Sequence, residues 1–332
     1  MHRQRRFGSI LCGLILVFAA GEAAAVSQST AISLTFPIGA QYSALGEAGT
    51  AVNRDVTAQW WNLGGFAFAA DEGRTLHGHV MYSRLVPDLA DDVALFWMGG
   101  AAYVEGWGML GAALTYLDQG EQIQTGLDGT PGESFSSSEW AFQGSYGVKF
   151  APNVGVGIGV KYVRIDLAPG SVLADQGASG NGSSWAADLG VLWDVTDDVH
   201  LGGTLTNLGG DVTFVDEQQA DPLPTNYRLG LGWDVLKTTQ SRLTVIYDYM
   251  DMLVDGDETV VHGGGVEWTY ASLLSVRGGY KYDDEGDIKD ITWGFGFDLE
   301  QAIGTPLIFD YARVPQAQDL EQVNRFSLGL RW

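Results

Sequence analysis

Two histidines, His77 and His79, stand two residues apart in "LHGHVMY". On an extended chain that spacing puts both rings on one face. A pair so placed suits a transition metal, but zinc sites draw three or four ligands and no third ligand stands beside it. The acidic clusters "DLADD" (88–92), "DMLVDGDE" (251–258) and "DDEGDIKD" (283–290) offer carboxylate oxygens to Ca²⁺ or Mg²⁺. None has EF-hand spacing, and solvated charge on an exposed surface accounts for them with fewer assumptions. A Ser-His-acid hydrolase needs its groups at matching depth, and no motif surrounds any serine. "GVGIGVKY" (155–162) invites a dinucleotide reading, but its glycines alternate at period two and open no helix. The expectation is a protein that is not an enzyme, with no cofactor and no metal.

The elements that carry these residues follow from composition and period. The opening "MHRQRRFGSILCGLILVFAAGEAAA" has a basic front, an apolar run over 10–20 and alanines in A-x-A register at Ala23 and Ala25. It reads as a secretory signal over residues 1–25. The alternative of a membrane anchor needs about 20 apolar residues, more than this run supplies. The single cysteine, Cys12, lies inside that run, so the exported protein is expected to hold no disulfide. Three of the 18 basic and one of the 41 acidic residues fall in 1–25, leaving 15 against 40. Phosphate recognition rests on clustered Lys and Arg, so nucleic acid is excluded as an expected partner.

From about residue 74 onward the hydrophobic period is two. In "WAFQGSYGVKF", Trp140, Phe142, Tyr146, Val148 and Phe150 share one face, and Gln143, Ser145 and Lys149 share the other. The same alternation runs through "VGVGIGVKY", "NYRLGLGWD" and "ITWGFGFDL". It predicts about fourteen strands, near 74–85, 92–103, 107–116, 138–150, 154–166, 183–194, 199–207, 226–235, 241–249, 258–268, 273–283, 288–299, 307–312 and 325–332. Connections after odd strands are mostly long (117–137, 167–182, 208–225, 250–257, 313–324), and those after even strands are mostly tight. An even strand count with short turns on one rim and longer loops on the other is the pattern of a closed antiparallel transmembrane β-barrel. The expected localisation is the bacterial outer membrane, with outer-membrane lipid around the barrel.

Rim aromatics sharpen that reading. Even strands close on Phe150, Trp193, Trp233, Trp268, Phe297 and Trp332, and odd strands on Tyr82, Tyr116, Tyr162, Tyr249, Tyr282 and Tyr311. Rings with an apolar body and a polar tip favour the lipid–water interface, so two membrane-interface belts are expected. Charge at mid-bilayer costs roughly 2–4 kcal/mol, so Lys149, Lys161, Asp188, Arg228, Arg242 and Arg277 are expected to face a lumen. Their many glycine neighbours leave space inside, and residues 26–73 are the candidate luminal plug. Within it, Phe36, Trp60, Trp61, Asn62, Phe66 and Phe68 are candidate ligand-lining or plug residues, with luminal packing the equal alternative. Residues 44–58 are small and suit a compact helix or turn, Asn62 suits a cap, and Gly64 and Gly65 suit a tight bend into the first strand.

"FPIGAQYSALGEAGTAVNRDVTAQWWNLGGFAFA" (36–69) resembles the start of the PorV/PorQ group of outer-membrane proteins, which are similar to the FadL-like transporters. Gly39, Ala40, Leu45, Gly46, Ala48, Asp55, Ala58, Asn62 and Gly65 fall on that group's pattern "GAR…MGGA…A…D…A…NPAGLA". Here "NLGG" stands for "NPAG" and Leu45 for Met. "LPTNYRLGLGW", "GVEWTYASLLSVRGGYKY" and "NRFSLGLRW" read like the closing strands of the same group. The last of these, ending on Trp332, looks like the C-terminal signal that barrel-assembly machinery recognises, though that signal more often ends in Phe. The resemblance implies a type IX-like protein-secretion component that binds or shuttles exported cargo, with secretion-system subunits as possible partners. Its alternative implication is a FadL-like channel for hydrophobic small molecules.

Overall fold

The computed structural model describes residues 29–69, 75–125, 130–168, 180–214, 220–317 and 320–332. The expected signal segment, 1–25, lies outside the described residues. The strands are β1 (Leu76–Arg84), β2 (Val93–Val104), β3 (Gly108–Thr125), β4 (Pro131–Ala151), β5 (Val154–Asp166), β6 (Asn181–Asp194) and β7 (Val199–Gly209). After a small hairpin, β8 (Val212–Thr213) with β9 (Ala220–Asp221), follow β10 (Asn226–Lys237), β11 (Ser241–Met252) and β12 (Val260–Tyr270). The ring is completed by β13 (Leu274–Asp283), β14 (Ile288–Asp298), β15 (Leu307–Val314) and β16 (Val323–Arg331).

Fourteen of these strands close an antiparallel barrel in chain order, with β1 paired to β16 from His77↔Arg331 to Ser83↔Arg325. Closure leaves no free sheet edge, and the ladders pair the backbone polar groups that a hydrocarbon surrounding would leave unsatisfied. The period of two sorts the side chains. On β10, Leu229, Leu231 and Trp233 are 56, 43 and 51 % exposed, while Arg228 and Asp234, on the opposite face at either end of that run, are buried. Lys161, Asp188 and Arg277 are buried inside in the same way.

Two expectations are corrected. Residues 117–137 are largely not a loop, because β3 and β4 run on to Thr125 and from Pro131 as a projecting hairpin. From Glu121 to Ile123 and from Pro131 to Ser134 both faces of that hairpin are wet, so the sequence loses its alternation while the ladder continues past a register shift between Asp118 and Glu121. Gly120, at φ 77°, takes the irregular position, and its N–H donates to Asp118 Oδ1 at 3.0 Å. Gly64 and Gly65 make no bend into the first strand; they lie inside a helix, for the reason given next.

Residues 29–69 lie within the ring and run from the long-loop mouth toward the short-turn rim. A 3₁₀ turn (Ile32–Leu34) sits by β3 and β4, α1 (Ala40–Ser43) against β14, β15 and β16, and α3 (Leu63–Phe66) against β4, β5 and β6; α2 (Ala58–Trp61) runs directly into α3. None of these helices exceeds four residues, too short to hold alone. Contact with the wall holds them. A Cβ on Gly64 would run into the backbone of Val191 and Leu192, so glycine there lets α3 touch β6 directly. Gly46, at φ 72°, lies equally close to the backbone of Gly264 and Tyr280. The wall is thinned to match: a Cβ on Gly155 or Gly157 of β5 would meet the backbone carbonyl of Gly64 or Leu63, and one on Gly265 of β12 would meet Leu45.

Candidate functional site

Inward side chains of strands around the ring hold the N-terminal segment by its backbone. Glu139 Oε2 on β4 accepts from the Ser33 N–H at 2.8 Å, and Asp248 Oδ2 on β11 accepts from Gly49 and Thr50 at 2.8 and 2.9 Å. Thr292 Oγ1 accepts from Gly46 at 2.8 Å, and Ser327 Oγ on β16 from Ala40 at 3.2 Å. Arg325 Nη1 donates to the Pro37 carbonyl at 3.1 Å and to Ser43 Oγ at 2.8 Å. At the short-turn end Arg54 pairs with Asp194, which also meets His200 Nδ1 at 2.6 Å.

Asn62 ends α2 and caps α3: its Oδ1 accepts from the Gly64 N–H at 2.9 Å. Its Nδ2 donates to the carbonyls of Thr50 at 2.6 Å and Val191 at 3.0 Å, tying two passes of the segment to β6. Trp61, fully buried, donates from Nε1 to the Ile38 carbonyl at 2.6 Å and meets Trp60 edge-on at 4.7 Å. Phe66 is buried in the same core cluster, and Phe68 lies under Arg54 and Lys149 at 4.9 and 4.8 Å. Of the six residues singled out in the segment, only Phe36 lines an open cavity, and the others pack or anchor.

That cavity is a vestibule of about 500 Å³ at the long-loop mouth, edged by Leu85, Met252 and Leu320. Its floor carries Glu47 of the segment with Arg228, Lys281 and Arg325 of the wall. Glu47 Oε2 lies 2.8 Å from Lys281 Nζ, and its Oε1 lies 3.4 Å from Arg325 Nη1. Burial opposes ionisation of Glu47, but Lys281 and Arg325 outweigh it and hold the carboxyl below its ordinary value. Below the floor, the cavities beside Trp60 narrow to about 10 Å³ or less, at most the room of one water. Spacing along the chain does not mark this floor, because β10, β13 and β16 each supply one cation. A readable signal is Glu47 itself, the single charged residue in 29–53.

On the outer face Phe150, Trp193, Trp233, Trp268, Phe297 and Trp332 stand exposed at the short-turn ends of their strands. Tyr82, Tyr116, Tyr162, Tyr249, Tyr282 and Tyr311 stand on the outer face toward the other rim, where Tyr249 Oη donates to Asp251 at 3.1 Å and Tyr311 Oη to Asn324 at 2.6 Å. The acidic clusters are drawn into local contacts: Asp91 pairs with Arg84 at 3.2 Å, Asp251 accepts from Tyr227 at 2.9 Å, and Asp283 accepts from the Gly286 N–H at 2.8 Å. His77 and His79 are both buried in the lumen.

A closed ring that is apolar without and charged within, with its lumen occupied by its own N-terminal segment, defines an outer-membrane β-barrel protein. Residues 20–259 match the family described as "Type IX secretion system protein PorV", and the chain belongs to that family of outer-membrane secretion components. No curated protein matches it by sequence. Among solved structures it is similar to the Pseudomonas putida toluene transporter TodX, with TM-score 0.58 and 13 % identity over 87 % of this chain and 95 % of that one. It is also similar to a Pseudomonas aeruginosa FadL homologue, with TM-score 0.51 and 13 % identity over 88 % and 97 %. At such identity these two establish a shared fold.

Proposed function

We propose that this protein docks exported proteins at the outer membrane during type IX secretion, receiving a segment of the cargo in the vestibule. The observation that carries the reading is a mouth cavity of about 500 Å³ with a floor made by the protein's own segment, a shape suited to holding a part of a larger molecule. Residues 29–69 then serve as a static plug, because side chains of β4, β11, β14 and β16 hold the backbone between Ser33 and Thr50. The role is one of binding rather than catalysis. The two rows of outer aromatics would set the barrel's depth in outer-membrane lipid, and β16 would present the signal to the barrel-assembly machinery.

The long loops would face the cell exterior, as they do in barrels of this kind. Passage of hydrophobic small molecules, the second reading, draws on the apolar upper walls of the vestibule, but it requires the packed segment to move aside. The test is to isolate the tagged protein from outer membranes and identify what accompanies it. Secreted proteins sharing a C-terminal domain are expected. Bound lipid in the vestibule with no secreted protein would replace docking with transport.

A further inference from the structure

The vestibule is lined by three cations, Arg228, Lys281 and Arg325, and three carboxylates, Glu47, Asp283 and Glu285, but the pairing among them is uneven. Lys281 is shared between Glu47 at 2.8 Å and Asp283 at 3.7 Å, and Arg325 is engaged by Glu47, Ser43 and Pro37. Arg228 is 9 % exposed and, among the described residues, takes part in no hydrogen bond or ion pair. Its guanidinium lies over the rings of Trp60 and Trp61, at 4.9 and 5.6 Å, and faces the vestibule. The carboxylates whose field reaches it are Asp248 and Glu47. Asp248 Oδ2 already accepts two backbone N–H groups, and Glu47 is held by Lys281 and Arg325.

A guanidinium has five donors in a planar fork that matches a carboxylate. At the vestibule floor this fork reaches the cavity with little exposure, so an arriving anion gains a charge-assisted pair in place of confined water. Directly above, Phe36, Met250, Met252, Val261 and Ile288 give the cavity apolar walls, and methionines adapt to varied apolar shapes. The occupant that satisfies both halves is a carboxylate carried on an apolar peptide.

We propose that Arg228 is the recognition residue of the vestibule, pairing with a carboxylate, either an Asp or Glu side chain or a free chain end, on an apolar segment of the exported protein. This rests on the docking reading above and specifies its chemistry. The indole rings beneath fix the guanidinium plane by cation–π contact, so that its free edge meets the incoming group. Glu47, by occupying Lys281 and Arg325, leaves Arg228 as the open cation.

The test uses the purified full-length protein in detergent and three acetylated pentapeptides, read by tryptophan fluorescence because Trp60 and Trp61 lie against Arg228. The probes are acetyl-Val-Leu-Glu-Val-Leu-amide, its Gln counterpart, and the Gln peptide with a free terminal carboxylate; decanoate is run beside them. At least one carboxylate peptide is expected to bind about tenfold or more tighter than the neutral one. Arg228→Gln is expected to abolish that preference while weak binding of the neutral peptide remains. Because the Glu-to-Gln change is made on the probe, the comparison stands on the wild type even if the variant fails to fold. Equal affinities for all three peptides, or a response to decanoate alone, would overturn the proposal. Cargo capture from outer membranes is scored separately: secreted proteins captured equally well by Arg228→Gln would refute the role of Arg228 and leave docking intact.

Discussion

Glu47 is the sole charge on 29–53, and it neutralises two wall cations at once. Its replacement by Gln leaves Lys281 without its closest carboxylate and Arg325 without an ionic partner. Breaking a buried ion pair from one side costs roughly 3–5 kcal/mol, so Glu47→Gln should lower the thermal midpoint of the detergent-solubilised protein by several degrees. An unchanged midpoint would remove Glu47 from the anchoring network. The pH dependence has a definite sign. The folded carboxyl titrates below its unfolded value, so its stabilising contribution is complete above that value and is lost as pH falls through the lower folded one. The near-ultraviolet dichroism of the buried tryptophans should therefore begin to decline below about pH 4 in the wild type. Glu47→Gln should lack that step. The sequence marks Glu47 as isolated and Arg228 as luminal, but their meeting at one floor depends on a fold that brings residue 47 beside residues 228, 281 and 325.

At the scale of elements, the strands are legible because each lies between two unlike environments, and the alternation records both. β5, β10 and β14 follow the expected spans within two residues for that reason. The outer halves of β3 and β4 escape detection where both faces meet water. The helices of the N-terminal segment are hidden for a different reason: they are four residues long and are stabilised by the wall. "NLGG" suggests a turn when read locally, yet Gly64 serves close approach to β6 and Gly65 close approach to the Asn53 carbonyl, and the alternating glycines of "GVGIGVKY" form the bed on β5 beneath α3. The prediction at this scale is that Gly64→Val forces α3 off the wall at a cost of about 1–3 kcal/mol. Protease should then cut within residues 50–69 in the variant and spare the wild type. Equal resistance would show that α3 tolerates displacement.

For the whole molecule, the governing relation is between the ring and what fills it. The ring carries its charges inward; some pair within the wall, as Lys161 with Asp188 and Arg277 with Asp310, and the segment meets others with backbone groups, Glu47 and Arg54. Purified protein in a planar bilayer should accordingly pass almost no ion current. Removal of residues 29–69 should open a conducting pore, because the glycines and charges that now contact the segment would face water. High conductance of the intact protein would contradict the packed lumen. The outer face was the most readable property at this scale, since twelve rim aromatics and the leucines and valines between them point one way.

The ring closes where β1 meets β16, and β16 also carries Arg325 and Ser327, two of the groups that grip the segment. Closure of the ring and part of the hold on the segment therefore fall to the same strand. Until the final strand docks, the segment lacks part of its hold and the first strand lacks one neighbour, so threading it afterwards through a finished cylinder is not required.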